Sequence, residues 1–152
     1  MLNPQSTIQI PIIMTPEEFK KRTKAYALRI IRLFEALPKS VVGSVLGRQV
    51  LRSGTSVGAN YRAACRAKSR ADFVAKLQNV EEECDETLYW LELLVESGQV
   101  KQGRVSALMQ EGSELLAMVV ASINTTRNAT PTPRPSQNKI KSAIPNLQSA
   151  IK

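Results

Sequence analysis

The amino-acid sequence predicts an all-α protein: an antiparallel up-down four-helix bundle over residues 15–127 with a disordered basic C-terminal tail. Apolar residues recur every three or four positions through four segments, which is the spacing of one buried helix face. The connections between these segments are only a few residues long, so consecutive helices should lie antiparallel and adjacent. Alternation at period two, the pattern of a half-buried strand, extends over no useful length.

The first helix is predicted to begin at Thr15-Pro16-Glu17-Glu18. Threonine at the N-cap, proline at the first helical position and glutamate at the third form a capping-box signature. The helix should end at Leu37, because the residue before a proline is disfavoured in the helical conformation. Its predicted apolar face consists of Phe19, Tyr26, Ile30, Leu33, Phe34 and Leu37.

The second helix is predicted to begin between Ser40 and Ser44 and to continue to about Arg66. Glycine costs roughly 1 kcal/mol against alanine inside a helix. Gly54 and Gly58 therefore indicate that another helix approaches the backbone closely. We interpret Asn60 as a core amide bonded to a neighbouring helix, with ligand binding as the alternative. The predicted seam is Val42, Leu46, Val50, Ser53, Val57, Asn60 and Ala64.

The third helix should begin after a Ser69 or Asp72 cap and end at Glu96, and the fourth should run from about Gln102 to Arg127. The predicted stripe of the third helix is Phe73, Leu77, Val80, Cys84, Leu88, Leu91 and Val95, and that of the fourth is Val105, Leu108, Gly112, Leu115, Val119 and Ser122. Tyr89, Trp90 and Leu93 widen the third stripe, as burial on two sides in an oligomer would require.

The two ends of the chain differ from the bundle in composition. Residues 128–152 are rich in Pro, Thr, Ser, Asn and Lys, a composition that cannot bury enough surface to order itself, so we predict a disordered basic tail. Residues 1–14 are predicted to form a flexible N-terminal segment. They contain neither a positive n-region nor a small-residue cleavage site, so we expect no signal peptide.

Charge is distributed unevenly along the chain. The net charge is +8, but residues 1–70 contain 13 Lys/Arg against 3 Asp/Glu, and residues 71–126 contain 3 against 10. Residues 127–152 contain five basic residues and no acidic ones. Such asymmetry indicates a polyanionic partner, or charge pairing between subunits; solvated helix faces without a partner are the alternative.

The residue types present argue against catalysis and against a metal centre. The chain has no histidine, the usual general base near neutral pH and the commonest metal ligand. We therefore predict no catalytic residue, no metal site and no cofactor. Five acids lie within the six residues 81–86, but a di-metal bundle also requires Glu-x-x-His pairs, so we interpret them as a solvated or intersubunit face.

The two cysteines are predicted to be reduced thiols packed as small hydrophobic side chains. If the turn lies near Ser69, Cys65 and Cys84 are separated by roughly 16 Å along adjacent helices, beyond the ~7 Å Cα limit of a disulfide. No apolar run reaches the ~18 residues of a membrane-spanning helix. We therefore expect a soluble cytoplasmic protein without a membrane partner.

Basic residues on the first two helices are the candidate nucleic-acid-binding residues. Like charges at i,i+4 repel by a few tenths of a kcal/mol, a cost that an anionic partner would offset. Because aromatic residues are scarce, phosphate contacts should dominate, with slight sequence preference. The alternative is pairing with the acidic stretch 81–86 of a neighbouring subunit. The candidates are Lys20, Lys21, Arg22, Lys24, Arg29 and Arg32 on the first helix, and Arg48, Arg52, Arg62 and Arg66 on the second.

Two motifs support a family resemblance. The order RxxLRSGTSVGANYR, then SRADFVAKLxxxxxExDETLYWLELL, resembles a bacterial four-helix-bundle family. That family includes proteins encoded by intervening sequences of large-subunit ribosomal RNA genes and the accessory variability determinant of diversity-generating retroelements. The resemblance covers residues 17–125. It implies a ring-shaped homopentamer with a basic surface and, for the retroelement member, binding to nucleic acid and to a reverse transcriptase.

One position departs from that family. Many relatives have an acid three residues after the motif asparagine, where this chain has Ala63. A role that depends on that acid is therefore not transferred to this chain.

These observations lead to two functional hypotheses. The first is a non-catalytic, oligomeric nucleic-acid-binding accessory protein that assists the reverse transcriptase of a diversity-generating retroelement. The second is a structural or protein-interaction bundle whose charge asymmetry serves subunit assembly. The residues favour neither RNA nor DNA, and a reverse-transcriptase gene beside a repeated variable region would distinguish the two hypotheses.

Overall fold

A computed structural model describes residues 14–129, which fold into four α-helices. The helices are α1 (Pro16–Ala36), α2 (Val41–Ala64), α3 (Arg70–Glu96) and α4 (Gln102–Asn128). Each helix packs on the next one in the chain, and α4 returns to contact α1. The predicted all-α four-helix bundle is confirmed. Apart from Met14, Asn128 and Ala129, the N-terminal segment 1–14 and the basic tail 128–152 lie outside the described residues.

Local sequence signals place the helix starts. The Thr15 N–H donates to Glu18 Oε2 over 2.7 Å, and the Glu18 N–H donates to Thr15 Oγ1 over 3.2 Å, so the predicted capping box is present. Ser40 and Ser69 cap α2 and α3 by accepting from the backbone N–H three residues later. Lys101, at the start of α4, provides no such side-chain bond.

The core lies along the bundle axis, where the predicted apolar stripes meet. Ile30, Val57, Val80, Leu91 and Leu115 are completely buried, so every helix contributes to one continuous core. Helical stability in proteins comes mostly from packing of the apolar face, so the four helices stabilise one another through this core.

The predicted seam of α2 is wrong at its N-terminal end. Val42 is 48% exposed, whereas Gly43 and Gly47 are buried. A Cβ atom placed on Gly47 would lie 2.7 Å from Leu37 Cδ1 and 3.0 Å from Phe34 Cδ2. The small residues are inside because the end of α1 lies directly against the backbone of α2.

Gly54 and Gly58 extend this close contact along α2. A Cβ atom would lie 2.8 Å from Ile30 Cγ1 at Gly54 and 3.1 Å from Thr23 Oγ1 at Gly58. Gly54 is buried and Gly58 is half-buried. Asn60, expected as a core amide, is also only half-buried, because it lies at the edge of the seam rather than on it.

The two cysteines have different environments. Cys84 is completely buried, and burial raises the pKa of its thiol to about 12. Cys65 is exposed, which corrects the expectation that both would pack as hydrophobic side chains. It lies just beyond the last residue of α2, where the chain turns away from the core. Both thiols are free.

Within residues 14–129, no helix is both long enough and apolar enough to cross a membrane.

Candidate nucleic-acid interface

A shallow groove of about 480 Å³ runs along the outer side of the contact between α1 and α2. We call it the lysine groove. Its floor is built from residues with small side chains, which keeps the space open for a ligand. Lys20, Lys21 and Lys24 of α1 and Arg62 of α2 supply its positive charge, and Glu17, Thr23, Ala27, Thr55, Gly58 and Ala59 complete the lining.

Glu17 is the acid of the lysine groove, and it pairs with one of the four cations. Lys20 Nζ lies 2.7 Å from Glu17 Oε1, and this hydrogen bond lowers the pKa of Glu17. The Glu17 side chain is 74% exposed, so the pair is largely solvated and contributes little to stability. Lys21, Lys24 and Arg62 take part in no ion pair within the described part of the chain.

Arg22 does not belong to the lysine groove, although it lies between Lys21 and Lys24 in sequence. Its Nε donates to Glu111 Oε1 over 2.7 Å, and its Nη2 donates to Glu111 Oε2 over 3.0 Å and also to Glu114. Arg22 therefore joins α1 to α4 instead of lining the lysine groove, and its nucleic-acid-binding role stays a prediction. The reason is the helical period, which turns position 22 toward α4 while positions 20 and 24 face outward.

Arg29 also faces α4 and lies apart from the lysines. It lines a second groove, of about 260 Å³, between the C-terminal half of α1 and the start of α4. We call it the arginine groove. Arg32 and Arg104 line it with Arg29, and Leu33, Ala36 and Leu108 complete it. Sequence reasoning missed Arg104; the antiparallel order of the helices, which sets the start of α4 beside the end of α1, could have indicated it.

The other arginines predicted on the second helix lie outside both grooves. Arg48 and Arg66 are exposed, and Arg66 lies in the turn after the end of α2 rather than on the helix. Arg52 Nη2 donates to Glu86 Oε2 on α3 over 3.0 Å, so it pairs with the acidic stretch of its own chain. Of the four arginines predicted on the second helix, only Arg62 joins the lysine cluster.

The acidic stretch contains one carboxylate in an unfavourable position. Glu83 is half-buried, and its Oε2 atom has no hydrogen-bond partner among residues 14–129. Burial and, secondarily, the nearby Glu86 carboxylate raise the pKa of Glu83. No group of three or more potential metal ligands occurs among the described residues, the acids of this stretch included.

Four large apolar side chains of α2 and α3 are roughly half or more exposed. They are Val41, Val42 and Val45 at the start of α2, and Tyr89 near the end of α3. Beside Tyr89, Trp90 has a buried Nε1 atom without a hydrogen-bond partner in the described range. An exposed set of this kind is typical of an interaction surface.

Comparisons with known proteins agree with this architecture. The sequence profile described as 23S rRNA-intervening sequence protein matches residues 17–121, which includes most of all four helices. Four chains of solved structures match. One is a protein of unknown function from the S23 ribosomal protein family of Bacteroides thetaiotaomicron VPI-5482. It is 36% identical, with a TM-score of 0.69, and the alignment covers 74% of this chain and 100% of the other. No curated protein matches.

Proposed function

The chain belongs to the 23S rRNA-intervening sequence protein family, and we propose that it is a non-catalytic, homo-oligomeric accessory protein that binds nucleic acid. The observation that carries this proposal is the lysine groove. Three of its cations, Lys21, Lys24 and Arg62, are left without an acidic partner among the described residues, on a floor of small side chains. A polyanion would supply the missing negative charge.

The lining of the lysine groove favours contact with phosphates over contact with bases. None of its ten residues is aromatic, so it offers no surface on which bases could stack. Lysine acts as a flexible point charge that suits phosphate oxygens without imposing a fixed orientation. Binding should therefore depend strongly on salt and only slightly on sequence.

Self-association is the second part of the proposal, and a homopentamer is its specific form. The exposed apolar residues Val41, Val42, Val45 and Tyr89 support it, because an oligomer would remove them from water. The family resemblance described above supports the pentamer. Light scattering at micromolar concentration should report about five subunits, and a monomer would contradict this part.

The most specific form of the proposal is that the oligomer assists the reverse transcriptase of a diversity-generating retroelement. Its support is the resemblance to the accessory protein of such elements. The competing function is a structural or protein-interaction bundle, and the use of Arg22 and Arg52 in pairs within the chain favours that competitor. Co-purification with the reverse transcriptase of the same locus would test the retroelement role.

A charge-matched binding experiment tests the central claim. K21Q/K24Q/R62Q removes three charges from the lysine groove, and K39Q/K68Q/K101Q removes three exposed charges outside it. Fluorescence anisotropy with labelled RNA and DNA 30-mers should show affinity reduced about 10- to 100-fold by the first variant. The log–log salt slope should fall by about 2 to 3 units.

The control variant should lose much less affinity and should keep the slope. Circular dichroism and size-exclusion chromatography verify that both variants keep the fold and the oligomer. Equal losses in the two variants would show that net charge alone acts and that the lysine groove is not the site. If the unaltered protein binds neither oligonucleotide at low salt, the structural bundle is the better description.

A further inference from the structure

The arginine groove collects three positive charges without a compensating acid. Arg29 and Arg32 come from α1 and Arg104 from α4, while the remaining lining residues, Leu33, Ala36 and Leu108, are apolar. None of the ion pairs within residues 14–129 involves any of the three arginines. The groove therefore brings like charges from two helices together, an arrangement that repulsion opposes.

Elsewhere on the same interface between α1 and α4, another arginine does have acidic partners. Near the N-terminal end of α1, Arg22 also faces α4, and it is neutralised by Glu111 and Glu114. About two turns further along α1, Arg29 and Arg32 line a groove with Arg104, and no acidic residue is among its lining residues. An anion from outside the chain would complete the arginine groove as the two glutamates complete the Arg22 site.

We propose that the arginine groove is a phosphate-binding site separate from the lysine groove. Guanidinium groups present paired N–H donors that match phosphate oxygens in a two-bond geometry. Arg32 and Arg104 are exposed, so an anion can reach both guanidinium groups directly from solvent. The volume of about 260 Å³ is large enough for a phosphate and an adjoining sugar.

The phosphate could come from the free anion, from the end of a nucleic acid or from its internal backbone. The site itself requires only the shared phosphate chemistry, whereas assigning the phosphate to nucleic acid rests on the proposed function. Because the two grooves lie on different sides of α1, substitutions can address them separately.

The first measurement uses inorganic phosphate and thermal unfolding of the full chain. At matched ionic strength, saturating sodium phosphate should raise the Tm of the unaltered protein by roughly 3 °C over sodium chloride. R32Q/R104Q should lose this response, and in chloride it should melt at or above the unaltered protein, because the repulsion is relieved. K39Q/K68Q, which removes the same charge elsewhere, should keep the response.

Three results would overturn the site: no phosphate response in the unaltered protein, an undiminished response in R32Q/R104Q, or an equal loss in K39Q/K68Q. Equal stabilisation by sodium glutamate would overturn the phosphate assignment in favour of carboxylate. A response that persists in K21Q/K24Q/R62Q supports two separate sites.

The second measurement identifies the source of the phosphate with oligonucleotides that differ only in a 5′-phosphate or a 5′-hydroxyl. Loss of the preference for the 5′-phosphate in R32Q/R104Q assigns the groove to a strand end. A salt slope lowered by about 1 unit for both oligonucleotides assigns it to the internal backbone. Stabilisation by phosphate without oligonucleotide binding would support the phosphate site and contradict the proposed function. Oligonucleotide binding without stabilisation by phosphate would support the proposed function and contradict the phosphate site.

Discussion

Arg22 and Glu111 join α1 to α4 through two parallel hydrogen bonds, Nε to Oε1 over 2.7 Å and Nη2 to Oε2 over 3.0 Å. The side chains are only 26% and 19% exposed. The hydrogen bonds that Arg22 donates to Glu111, foremost, and to Glu114 raise the pKa of Arg22. Since α1 and α4 contact each other less than the other packed helix pairs do, this ion pair stabilises the edge that closes the bundle.

Arg22→Gln should therefore lower the free energy of unfolding by about 1–2 kcal/mol, because Glu111 is left half-buried without its cation. Denaturant unfolding measures the loss. Lys21→Gln, at the exposed neighbouring position, should change stability by less than about 0.5 kcal/mol. Oligonucleotide affinity should fall for Lys21→Gln but not for Arg22→Gln. The reverse pattern would show that Arg22, and not Lys21, contacts the oligonucleotide.

Gly112→Ala should destabilise the protein by about 1–3 kcal/mol through overpacking. The added Cβ would lie 2.6 Å from Tyr26 Oη and 3.0 Å from Leu88 Cδ2, and Tyr26 is 1% exposed, so its ring has no room to move. Gly103→Ala on the same helix meets nothing within 4 Å and should stabilise by up to about 0.5 kcal/mol. Thermal unfolding of both variants checks this; equal effects would show that Tyr26 is free to shift.

Glu83→Gln should raise stability at neutral pH by roughly 0.5 kcal/mol, because it replaces a half-buried carboxylate with a neutral group. The pKa of Glu83 is raised in the folded protein, so the folded state favours the protonated form. The contribution of Glu83 to the stability of the unaltered protein is therefore most favourable below the pKa that Glu83 has in the unfolded chain. It becomes less favourable as the pH rises through the higher pKa of Glu83 in the folded protein.

The advantage of Glu83→Gln should thus be present at pH 7 and disappear toward pH 4. Urea unfolding at several pH values measures it. A variant that is less stable than the unaltered protein at pH 7 would indicate that the Glu83 carboxylate has a cationic partner in the assembled oligomer.

Ser53 and Thr87 form a buried hydroxyl pair between α2 and α3, with Thr87 Oγ1 lying 2.9 Å from Ser53 Oγ. Thr87→Val should cost about 1 kcal/mol, because it removes this bond within the core. Ser53→Ala should cost a similar amount, and the double variant should cost less than the sum, since the two residues share the bond. Additive losses in denaturant unfolding would show that the pair is not coupled.

Part of the candidate site could be predicted from the positions of basic residues in the sequence. Lys20, Lys21, Lys24 and Arg62 were expected as basic candidates, and the four line one groove. Arg22 and Arg29 belonged to the same predicted set but face α4. Successive residues of a helix are rotated by about 100°, so neighbours in sequence point in different directions. A basic segment therefore predicts the number of positive charges but not which surface each side chain faces.

The positions of the helices follow from local sequence, because caps such as Thr15 and Ser69 and the apolar periodicity act within a few residues of the chain. Which cations are neutralised does not follow from local sequence, because it depends on the carboxylates that helix packing brings near them. Arg22 pairs with Glu111, 89 positions away, whereas Arg29 lines a groove with Arg104. The balance between an internal ion pair and an open anion site is therefore set by the register of α1 against α4.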